Sequence, residues 1–361
     1  MSAPTAEDDV VADRAAAEHA ARPPLIVLDV VTAFLDRHGI GTGPVRAEPI
    51  GDGHSNVTYM LQRDDVAVVL RRPPRPPLPP STHDVLREAR ILTGLGAAGA
   101  RVPKVLATCD DDALLGVPFF VMEHVDGAVV AERLPPGLDS AAARADLADE
   151  VVDALVELHA LDPDAAGLGD LGRPTGYLAR QVGVFSKLWA SVRTRDVPEV
   201  DRVARWLGDH VPASARTSLV HGDFRLGNLL VHRERPEVVA ILDWEMATLG
   251  DPLADLGYLC ATWARPDEPE NAMTRLSAVT RQPGFPSPEQ LAASYSRASG
   301  AAVGDLRFYE VLALFKAAVF LESSHRRYRE GRTDDPYFAD LDRGVPQLAR
   351  EALARTTRTS S

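Results

Sequence analysis

The stretch LVHGDFRLGNLLV, residues 219–231, places a His, an Asp and an Asn in a short polar loop between two apolar runs. Downstream, LLVH and VVAIL are apolar runs around a turn at residues 233–237, and the second run leads to Asp243. This pattern predicts a β-hairpin. Because a hairpin returns the chain to its start, we expect Asp223, Asn228 and Asp243 to lie close together.

Three oxygen-bearing side chains at this spacing favour magnesium-assisted phosphoryl transfer. Carboxylate and amide oxygens suit Mg²⁺, which usually takes one or two protein carboxylates together with substrate phosphates. In the kinase template an Asp accepts the proton of the acceptor hydroxyl, an Asn five positions later holds one metal ion, and a second Asp holds metal that bridges the phosphates. Asp223, Asn228 and Asp243 meet that spacing.

Composition and charge restrict the classes of function. With 361 residues, 45% of them hydrophobic, the chain is long enough for two lobes with buried cores. The formal charge is −13 and the basic residues are scattered, which disfavours a nucleic-acid partner. Cys109 and Cys260 lack disulfide or metal-ligand spacing, and the N-terminal residues resemble neither a signal peptide nor a membrane span. We therefore expect a cytoplasmic protein without a membrane partner, monomeric by default with a homodimer as the alternative.

The pattern of apolar residues changes along the chain. Residues 45–123 are typical of strands, interrupted by one helix from about residue 82 to residue 95, where Ser81 and Asp84 fit a capping box. From residue 140 onward the spacing predicts long amphipathic helices. A small β-rich lobe and a larger, mainly helical lobe make the predicted fold class α+β.

HGDFRLGN followed by ILDWEMATLGDPLADLGYL resembles the aminoglycoside phosphotransferase family of kinase-like enzymes. It is most similar to the branch related to the kinase-like domains attached to acyl-CoA dehydrogenases, and the likeness spans about residues 45–330. The resemblance implies a two-lobed protein-kinase-like fold that uses ATP and Mg²⁺ to phosphorylate a hydroxyl of a small molecule. With the composition, it predicts in chain order a loosely ordered segment at 1–24, a nucleotide-binding N-lobe at 25–122, a hinge at 123–127, a catalytic and acceptor-binding C-lobe at 128–353 and a flexible tail at 354–361.

The resemblance also assigns roles in the large lobe. In the family HGD-x-x-x-x-N is the catalytic loop, which makes Asp223 the base and Asn228 and Asp243 the Mg²⁺ ligands. Arg225 occupies the place of a catalytic-loop Lys near the transferring phosphate, where it would stabilise developing charge. Three residues are expected to anchor or brace this loop: His221, Asp251 and Asp255.

The small lobe is expected to hold the nucleotide. PIGDGHSNVTY resembles the family's glycine-rich loop, whose contacts to phosphates would come from Gly51, Gly53, Ser55 and Asn56. The chain has only three lysines, Lys104, Lys187 and Lys316, and none lies on the strand VAVVLRR. Arg71 is therefore the candidate for the α- and β-phosphate contact, paired with Glu88 on the helix. The resemblance places the adenine against three residues of FFVMEHVDG: Met122, Glu123 and Val125.

Other interpretations stay open at this stage. Gly51 and Gly53 also suit an ordinary hairpin turn, and Arg71 with Glu88 also suits a solvated ion pair. Because Arg71 replaces the usual Lys, the chain could be a nucleotide-binding module with a regulatory or docking role and little transfer activity. A weaker reading is a metal-dependent hydrolase built on four residues: His221, Asp223, His232 and Asp243. His159, beside an apolar helix face, is more typical of a structural histidine than of a ligand.

The acceptor is the least defined part of the prediction. Its pocket is expected near Tyr258 and Trp263 and near the acids Asp267, Glu268 and Glu270. Those acids favour an aminoglycoside-like cation, whereas the branch resemblance points to hydroxyacyl groups, including coenzyme A esters. Fold alone does not select a substrate.

Overall fold

The computed structural model describes residues 9–51, 56–76, 83–331 and 341–357. The chain divides into two compact units, Met1–Asp126 and Gly127–Ser361. We call them the N-terminal unit and the C-terminal unit. The predicted lobe and hinge boundaries remain predictions.

The N-terminal unit is built on one sheet. Its elements are β1 (Val10–Val11), α1 (Arg14–His19), β2 (Ile26–Val27), α2 (Leu28–Arg37), β3 (Arg46–Pro49), β4 (Val57–Gln62), β5 (Ala67–Arg72), α3 (Val85–Ala97), β6 (Val105–Cys109), α4 (Asp112–Leu115) and β7 (Phe119–Glu123). Five strands form the antiparallel order β3-β4-β5-β7-β6. Tyr59 of β4 lies opposite Leu70 of β5, and both are buried against Phe34 and Leu35 of α2. Strand alternation thus directs one face of the sheet to a core under α2.

Helix α3 begins later than the sequence pattern predicts. Asp84 is its N-cap and accepts a hydrogen bond from Arg87 N at 2.9 Å, so the helix starts at Val85 instead of near residue 82. Ser81, the other member of the predicted capping box, lies outside the described residues. One Asp side chain is sufficient to cap a helix N-terminus.

The start of the chain differs from the expectation of loose order. From residue 9 onward it forms α1 and β1, and β1 pairs in parallel with β2. Asp9 lies 2.7 Å from Arg22 and also pairs with Arg75 beyond β5. The prediction of loose order for residues 1–24 rested on an Ala-rich, acidic composition. Composition does not show the long-range partners that order residues 9–24.

The C-terminal unit is mainly helical. Its elements are β8 (Ala128–Val129), α5 (Ala141–Ala160), α6 (Tyr177–Val192), α7 (Pro198–Asp209), β9 (Ser218–Val220), β10 (Leu229–Val231), β11 (Val238–Ile241), β12 (Thr248–Gly250), α8 (Leu253–Thr262), α9 (Pro288–Ser299), α10 (Arg307–Arg329) and α11 (Leu341–Arg355). Strand β10 pairs with β11 and β8, and β12 pairs with β9. The predicted hairpin of β10 and β11 is therefore present.

Long-range packing orders the end of the chain too. Helix α11 runs to Arg355 and packs on α10, and the Arg355 side chain is buried. Arg355 lies 2.7 Å from Glu351 and pairs with Glu310 of α10. Residues 354 and 355 of the predicted flexible tail are thus helical. In the described part of the chain, no helix is both long and apolar enough to cross a membrane.

Candidate active site

The predicted catalytic loop connects β9 to β10, and the hairpin brings Asp243 back beside it. Leu229 lies opposite Ile241 in the register of β10 and β11. One step further, Leu242 N donates to Asn228 O at 2.8 Å. Asp243 follows directly, so Asn228 and Asp243 stand at the same end of the hairpin, as the sequence pattern predicts.

The two oxygens of the Asp223 carboxylate have different surroundings. Asn228 Nδ2 donates to Asp223 Oδ2 at 2.7 Å and to the Asp223 carbonyl oxygen at 2.8 Å. Oδ1 is buried and accepts no hydrogen bond from any residue that the structure describes. Arg225 Nε lies 3.6 Å from Oδ1. One carboxylate oxygen is therefore held in place, and the other is left able to accept a hydrogen bond from a ligand.

The Arg225 guanidinium lies against Gly227. A Cβ added at Gly227 would overlap Arg225 Nη1 and lie 3.2 Å from the Leu276 carbonyl oxygen. Arg225 Nε is itself buried without a hydrogen-bond acceptor among the described residues. The guanidinium therefore lies against the loop next to Asp223, with donor capacity left for an anion.

His221 joins the catalytic loop to the Asp243 loop. Asp223 N donates to His221 Nδ1 at 3.2 Å, so Nδ1 carries no proton. Nε2 then carries it and donates to the Leu242 carbonyl oxygen at 2.8 Å. The ring packs on Trp244 with centroids 4.6 Å apart. This agrees with the predicted anchoring role.

A buried carboxylate holds the start of the loop. Asp255 of α8 accepts hydrogen bonds from His221 N at 2.6 Å and Gly222 N at 2.8 Å, and His159 Nε2 lies 3.3 Å away. Burial acts to raise the pKa of Asp255, but the hydrogen bond and electrostatic attraction of His159, the electrostatic attraction of the His221 ring and the Gly222 hydrogen bond hold this pKa below its usual value. We call Asp255 with these backbone amides the Asp255 brace.

His159 and Tyr295 extend this brace. His159 Nδ1 is hydrogen-bonded to the Tyr295 hydroxyl at 2.8 Å. Sequence reasoning treated His159 as structural and did not single out Tyr295 at all, because their partners lie far away along the chain. Asp251, the other predicted bracing acid, accepts hydrogen bonds from Tyr309 at 3.0 Å and Leu253 N at 2.9 Å. It therefore secures the start of α8 and contacts α10.

Asp243 adopts a backbone conformation that few non-glycine residues use. Its φ is 65°, in the left-handed region. This conformation is uncommon, and Asp tolerates it better than most residues. Trp244 Nε1 donates to the Ile241 carbonyl oxygen at 2.9 Å and holds the turn. A strained residue kept in place by its surroundings is typical of functional sites.

The donor set fits Mg²⁺ better than a transition metal. Since Asn228 uses its Nδ2 on Asp223, its carboxamide oxygen and the Asp243 carboxylate are the hard ligands this end of the hairpin offers. Mg²⁺ needs few protein ligands because waters and phosphates complete its shell. In the described ranges, no group of three or more His, Cys, Asp or Glu side chains is arranged to hold a metal ion. His232 caps its own turn, with Nδ1 accepting from Glu234 N at 3.1 Å, which removes it from the hydrolase arrangement.

In the N-terminal unit, Arg71 and Glu88 form the predicted pair. Arg71 Nε donates to Glu88 Oε2 at 2.8 Å. The side chains are 14% and 2% exposed, so the contact is not a solvated surface ion pair. Burial makes such a pair sensitive to the loss of either partner.

The other nucleotide-loop residues are only partly described. Gly53 and Ser55 lie outside the described residues. Gly51 has a φ of 76°, which requires a glycine-like conformation. Asn56 is buried, and its Oδ1 lies 3.2 Å from His83 Nδ1. The Asn56 side chain is thus used inside the unit, which weakens its predicted contact to phosphate.

The three candidate adenine contacts lie at and after the end of β7. Met122 is buried in the sheet opposite Val69. The Glu123 N–H donates to the Lys104 carbonyl oxygen at 2.9 Å. Among the described residues, Val125 forms no backbone hydrogen bond. Its backbone groups are thus better placed than the Glu123 N–H to bind the edge of a base.

The acids expected at the acceptor pocket are engaged elsewhere. Glu268 lies 3.5 Å from Arg265 and 3.6 Å from Arg355, and Glu270 lies 2.9 Å from Arg275. Trp263 is fully buried, and its Nε1 donates to the Pro286 carbonyl oxygen at 3.0 Å. Asp267 is exposed. Arginines thus engage Glu268 and Glu270, which weakens the argument for a cationic acceptor.

Among the residues predicted at the acceptor pocket, Tyr258 lies near Asp223, the predicted base. Burial first, and then the negative charge of Asp223, raise the pKa of the Tyr258 phenol well above its ordinary value. The hydroxyl therefore stays protonated next to the carboxylate. It is a hydrogen-bond donor at the site.

A model of the phosphotransferase enzyme family matches residues 46–293. The mouse protein named acyl-CoA dehydrogenase family member 10 is 36% identical over 293 residues, covering 81% of this chain and 27% of that protein. Human acyl-CoA dehydrogenase family member 11 is 32% identical over 342 residues, covering 91% of this chain and 43% of that protein. The chain thus spans less than half the length of these relatives.

Solved structures give the same fold. A Ralstonia eutropha protein assigned as an aminoglycoside phosphotransferase aligns with a TM-score of 0.77 at 29% identity, over 92% of this chain and 99% of that one. A thermostable mutant of aminoglycoside phosphotransferase APH(4)-Ia, solved with AMP-PNP and hygromycin B, aligns with a TM-score of 0.61 at 17% identity, over 91% and 99% of the two chains. The predicted two-lobed, protein-kinase-like α+β fold is confirmed.

Proposed function

Because the chain belongs to the phosphotransferase enzyme family, we propose that it transfers the γ-phosphate of ATP to a hydroxyl group of a small molecule, with Mg²⁺ as cofactor. The observation that supports this best is the asymmetry of Asp223. Asn228 holds its Oδ2, while its Oδ1 is buried and forms no hydrogen bond with the described residues, with Arg225 Nε 3.6 Å away and the Tyr258 hydroxyl nearby. An acceptor hydroxyl would satisfy that oxygen.

The proposed reaction uses Asp223 as the general base. The acceptor hydroxyl donates to Oδ1, its oxygen bonds to the γ-phosphorus, and the bond from that phosphorus to the β–γ bridging oxygen breaks. The hydroxyl proton passes to Asp223, and ADP leaves. Asn228 would keep the carboxylate in place throughout, and a positioned general base typically contributes about 10²–10⁴-fold to the rate.

Asn228 and Asp243 would hold Mg²⁺. When bound there, Mg²⁺ would supply positive charge that offsets part of the charge of the phosphates. The protein's own contribution is the rigid hairpin end and the His221 link between the two loops. Arg225 would bind the transferring phosphate, since the phosphoryl oxygens could use the guanidinium donors left free beside Asp223.

The N-terminal unit would bind the rest of the nucleotide. Arg71 would contact the α- and β-phosphates, with Glu88 holding its guanidinium in place. An Arg can replace a Lys in this task because its fork binds phosphate oxygens bidentately. The backbone groups of Val125 would take the adenine edge.

A nucleotide-binding module with a regulatory or docking role is the second candidate. Arg71 in the place of the usual Lys favours it. A pure binder, however, has no need of the Asp255 brace that fixes the loop bearing Asp223. Tight Mg²⁺-ATP binding without any phosphorylated product would support this candidate.

The test is ADP release with Mg²⁺-ATP against pooled aminoglycosides, sugars, amino alcohols, hydroxy acids and hydroxyacyl-CoA esters. Asp223→Asn and a matched control, Asp209→Asn at an exposed position in α7, are assayed in parallel. We expect one pool to stimulate release in the wild type and in Asp209→Asn but not in Asp223→Asn. Stimulation that survives Asp223→Asn would exclude the proposed base.

We also propose a cytoplasmic location. Both cysteines are buried free thiols, which fits a reducing compartment. Fluorescent tagging in the source cell and fractionation would check this.

A further inference from the structure

Packing against the backbone positions the Arg225 side chain beside Asp223. Arg225 Nε is buried without an acceptor among the described residues, and it lies 3.6 Å from Asp223 Oδ1, beyond hydrogen-bond distance. The guanidinium lies against Gly227, on the side where a side chain of that residue would stand. The Leu276 carbonyl oxygen lies on the same side. The place of the guanidinium therefore depends on the backbone at Leu276.

Leu276 belongs to a short helical segment, Thr274–Arg281, which we call the 274–281 segment. This segment packs on residues 226–228 of the catalytic loop. It is interrupted at Ser277, whose φ of −139° and ψ of 43° are not helical. Its first turn, which carries Leu276, is thus a separate unit that depends on the hydrogen bonds at its own start.

Asn271 forms the start of this turn. Its side chain is buried, and Oδ1 accepts hydrogen bonds from Met273 N at 2.8 Å and Thr274 N at 3.0 Å. The Asn271 carbonyl oxygen accepts from Arg275 N at 3.0 Å. An Asn side chain that accepts from the N–H groups two and three positions later caps a helical turn. The turn that carries Leu276 is therefore built on Asn271.

Helix α11 holds the other end of the same amide. Asn271 Nδ2 donates to Glu351 Oε2, and the second oxygen of Glu351 lies 2.7 Å from Arg355 Nη2. Arg355 is buried and also pairs with Glu310 of α10. One carboxylate of α11 thus joins the cap of the 274–281 segment to the packed helices α10 and α11.

From these contacts we propose that α11 sets the position of Arg225, with Asn271 and Glu351 as positioning residues for phosphoryl transfer. A displaced Asn271 moves the turn that carries Leu276, and with it the backbone beside the guanidinium. This inference rests on the proposed function, and it adds a dependence of the reaction on the C-terminal helix. A group that stabilises developing charge must be placed accurately, and a displacement of about 1 Å can lower a rate by about 100-fold.

Exchanging donor and acceptor between the two side chains tests the link. Asn271→Asp keeps an oxygen for the cap but places two carboxylates face to face. Glu351→Gln leaves one side-chain oxygen for two donors, Asn271 and Arg355. The double variant Asn271→Asp/Glu351→Gln reverses the hydrogen bond and keeps the net charge, so we expect it to behave like the wild type. Arg350→Gln, at an exposed position of α11, controls for a changed charge on this helix.

Hydrogen exchange followed by mass spectrometry measures the link without any substrate. The Asn228 N–H donates to the Arg225 carbonyl oxygen at 2.9 Å and reports on the turn that carries Arg225. In each single variant we expect this amide and the 274–281 segment to exchange about 10-fold faster, while the double variant and Arg350→Gln match the wild type. Unchanged exchange at Asn228 would overturn the inference. An equal increase in α5 would overturn it too, since the loss would then be general.

Transfer kinetics test the role of Arg225. With an acceptor that stimulates ADP release, each single variant should lower kcat by about 10- to 100-fold with little change in the KM for ATP, and the double variant should restore kcat. In an Arg225→Ala background, Asn271→Asp should lower kcat by less than about 2-fold, because the side chain it positions is gone. A loss of the same factor in both backgrounds would show that Asn271 does not act through Arg225.

The two measurements separate this inference from the proposed function. If exchange at Asn228 follows the prediction but no acceptor stimulates ADP release, the link from α11 to the Arg225 turn stands and the transfer proposal fails. If ADP release depends on Asp223 while neither exchange nor kcat responds to Asn271→Asp or Glu351→Gln, the transfer proposal stands and this inference is wrong.

Discussion

The proposed catalytic loop of the C-terminal unit and the proposed nucleotide-binding segments of the N-terminal unit are held in different ways. The loop is fixed by hydrogen bonds from Asn228 to Asp223 and from its first backbone amides to Asp255. On the proposed nucleotide side, the described residues include a buried pair, Arg71 with Glu88, that joins β5 to α3. We therefore expect substitutions around the loop to reduce stability or activity strongly. Substitutions in the Arg71–Glu88 pair should have milder effects.

The largest effect is expected at the Asp255 brace. Asp255→Asn replaces one accepting oxygen by a donor that faces backbone N–H groups, so it should lower the free energy of unfolding by about 3–5 kcal/mol. Urea unfolding at neutral pH measures the change. The control Asp209→Asn should stay within about 0.5 kcal/mol of the wild type. If Asp255→Asn lowered the free energy of unfolding by only about 0.5 kcal/mol, the Asp255 brace would not hold the loop.

Gly222→Ala disturbs the backbone conformation of the same loop. Gly222 has a φ of 86°, and an added Cβ would lie 2.8 Å from the Met246 carbonyl oxygen. We expect a loss of about 2 kcal/mol of stability from the left-handed backbone and the contact together, and lower phosphoryl transfer. Gly208→Ala in α7, where an added Cβ meets nothing within 4 Å, is the control. Equal melting temperatures for the two variants would contradict this account.

The nucleotide side should respond more mildly. Glu88→Gln removes the charge that holds Arg71, and we expect the KM for ATP to rise about 10-fold while the KM for the acceptor stays constant. Arg71→Lys should have a smaller effect because Lys still reaches a phosphate as a point charge. Steady-state kinetics with each substrate varied in turn resolve the two constants. A rise confined to the acceptor KM would place Arg71 in another role.

The smallest effect concerns pH. The folded-state pKa of Asp255 lies below its unfolded value, so its stabilising contribution is complete above the unfolded pKa and is lost as the pH falls through the folded pKa. Below about pH 4 the wild type should therefore lose stability more steeply than Asp255→Asn. Unfolding free energies between pH 3 and pH 7 test this. Parallel curves for the two proteins would contradict the assignment.

The contrast between the two regions also explains what sequence could predict. Asp223, Asn228 and Asp243 were found because a hairpin and a five-residue spacing are local patterns. The Arg71 pair with Glu88 needed the family resemblance, and Gly53 and Ser55 remain untested predictions. The roles of all these residues in catalysis and binding stay predictions as well.

The features that sequence reasoning missed depend on contacts between distant parts of the chain. His159 meets Asp255 across 96 positions and Tyr295 across 136. The order of residues 9–24 and the pairing of Glu268 with Arg355 have the same origin. Neither the spacing of apolar residues nor the composition shows which arginine will pair with which acid. Lys316 was noted as one of three lysines, but only packing shows that it is buried.

The most direct test of the account is single-turnover phosphoryl transfer at saturating Mg²⁺-ATP by the wild type and by Asp223→Asn, with ATP affinity measured on the same samples. We predict that ATP affinity changes by no more than a few-fold while the transfer rate falls by about 10²–10⁴-fold. A variant that binds ATP normally and transfers phosphate at the wild-type rate would contradict the assignment of Asp223 as the base.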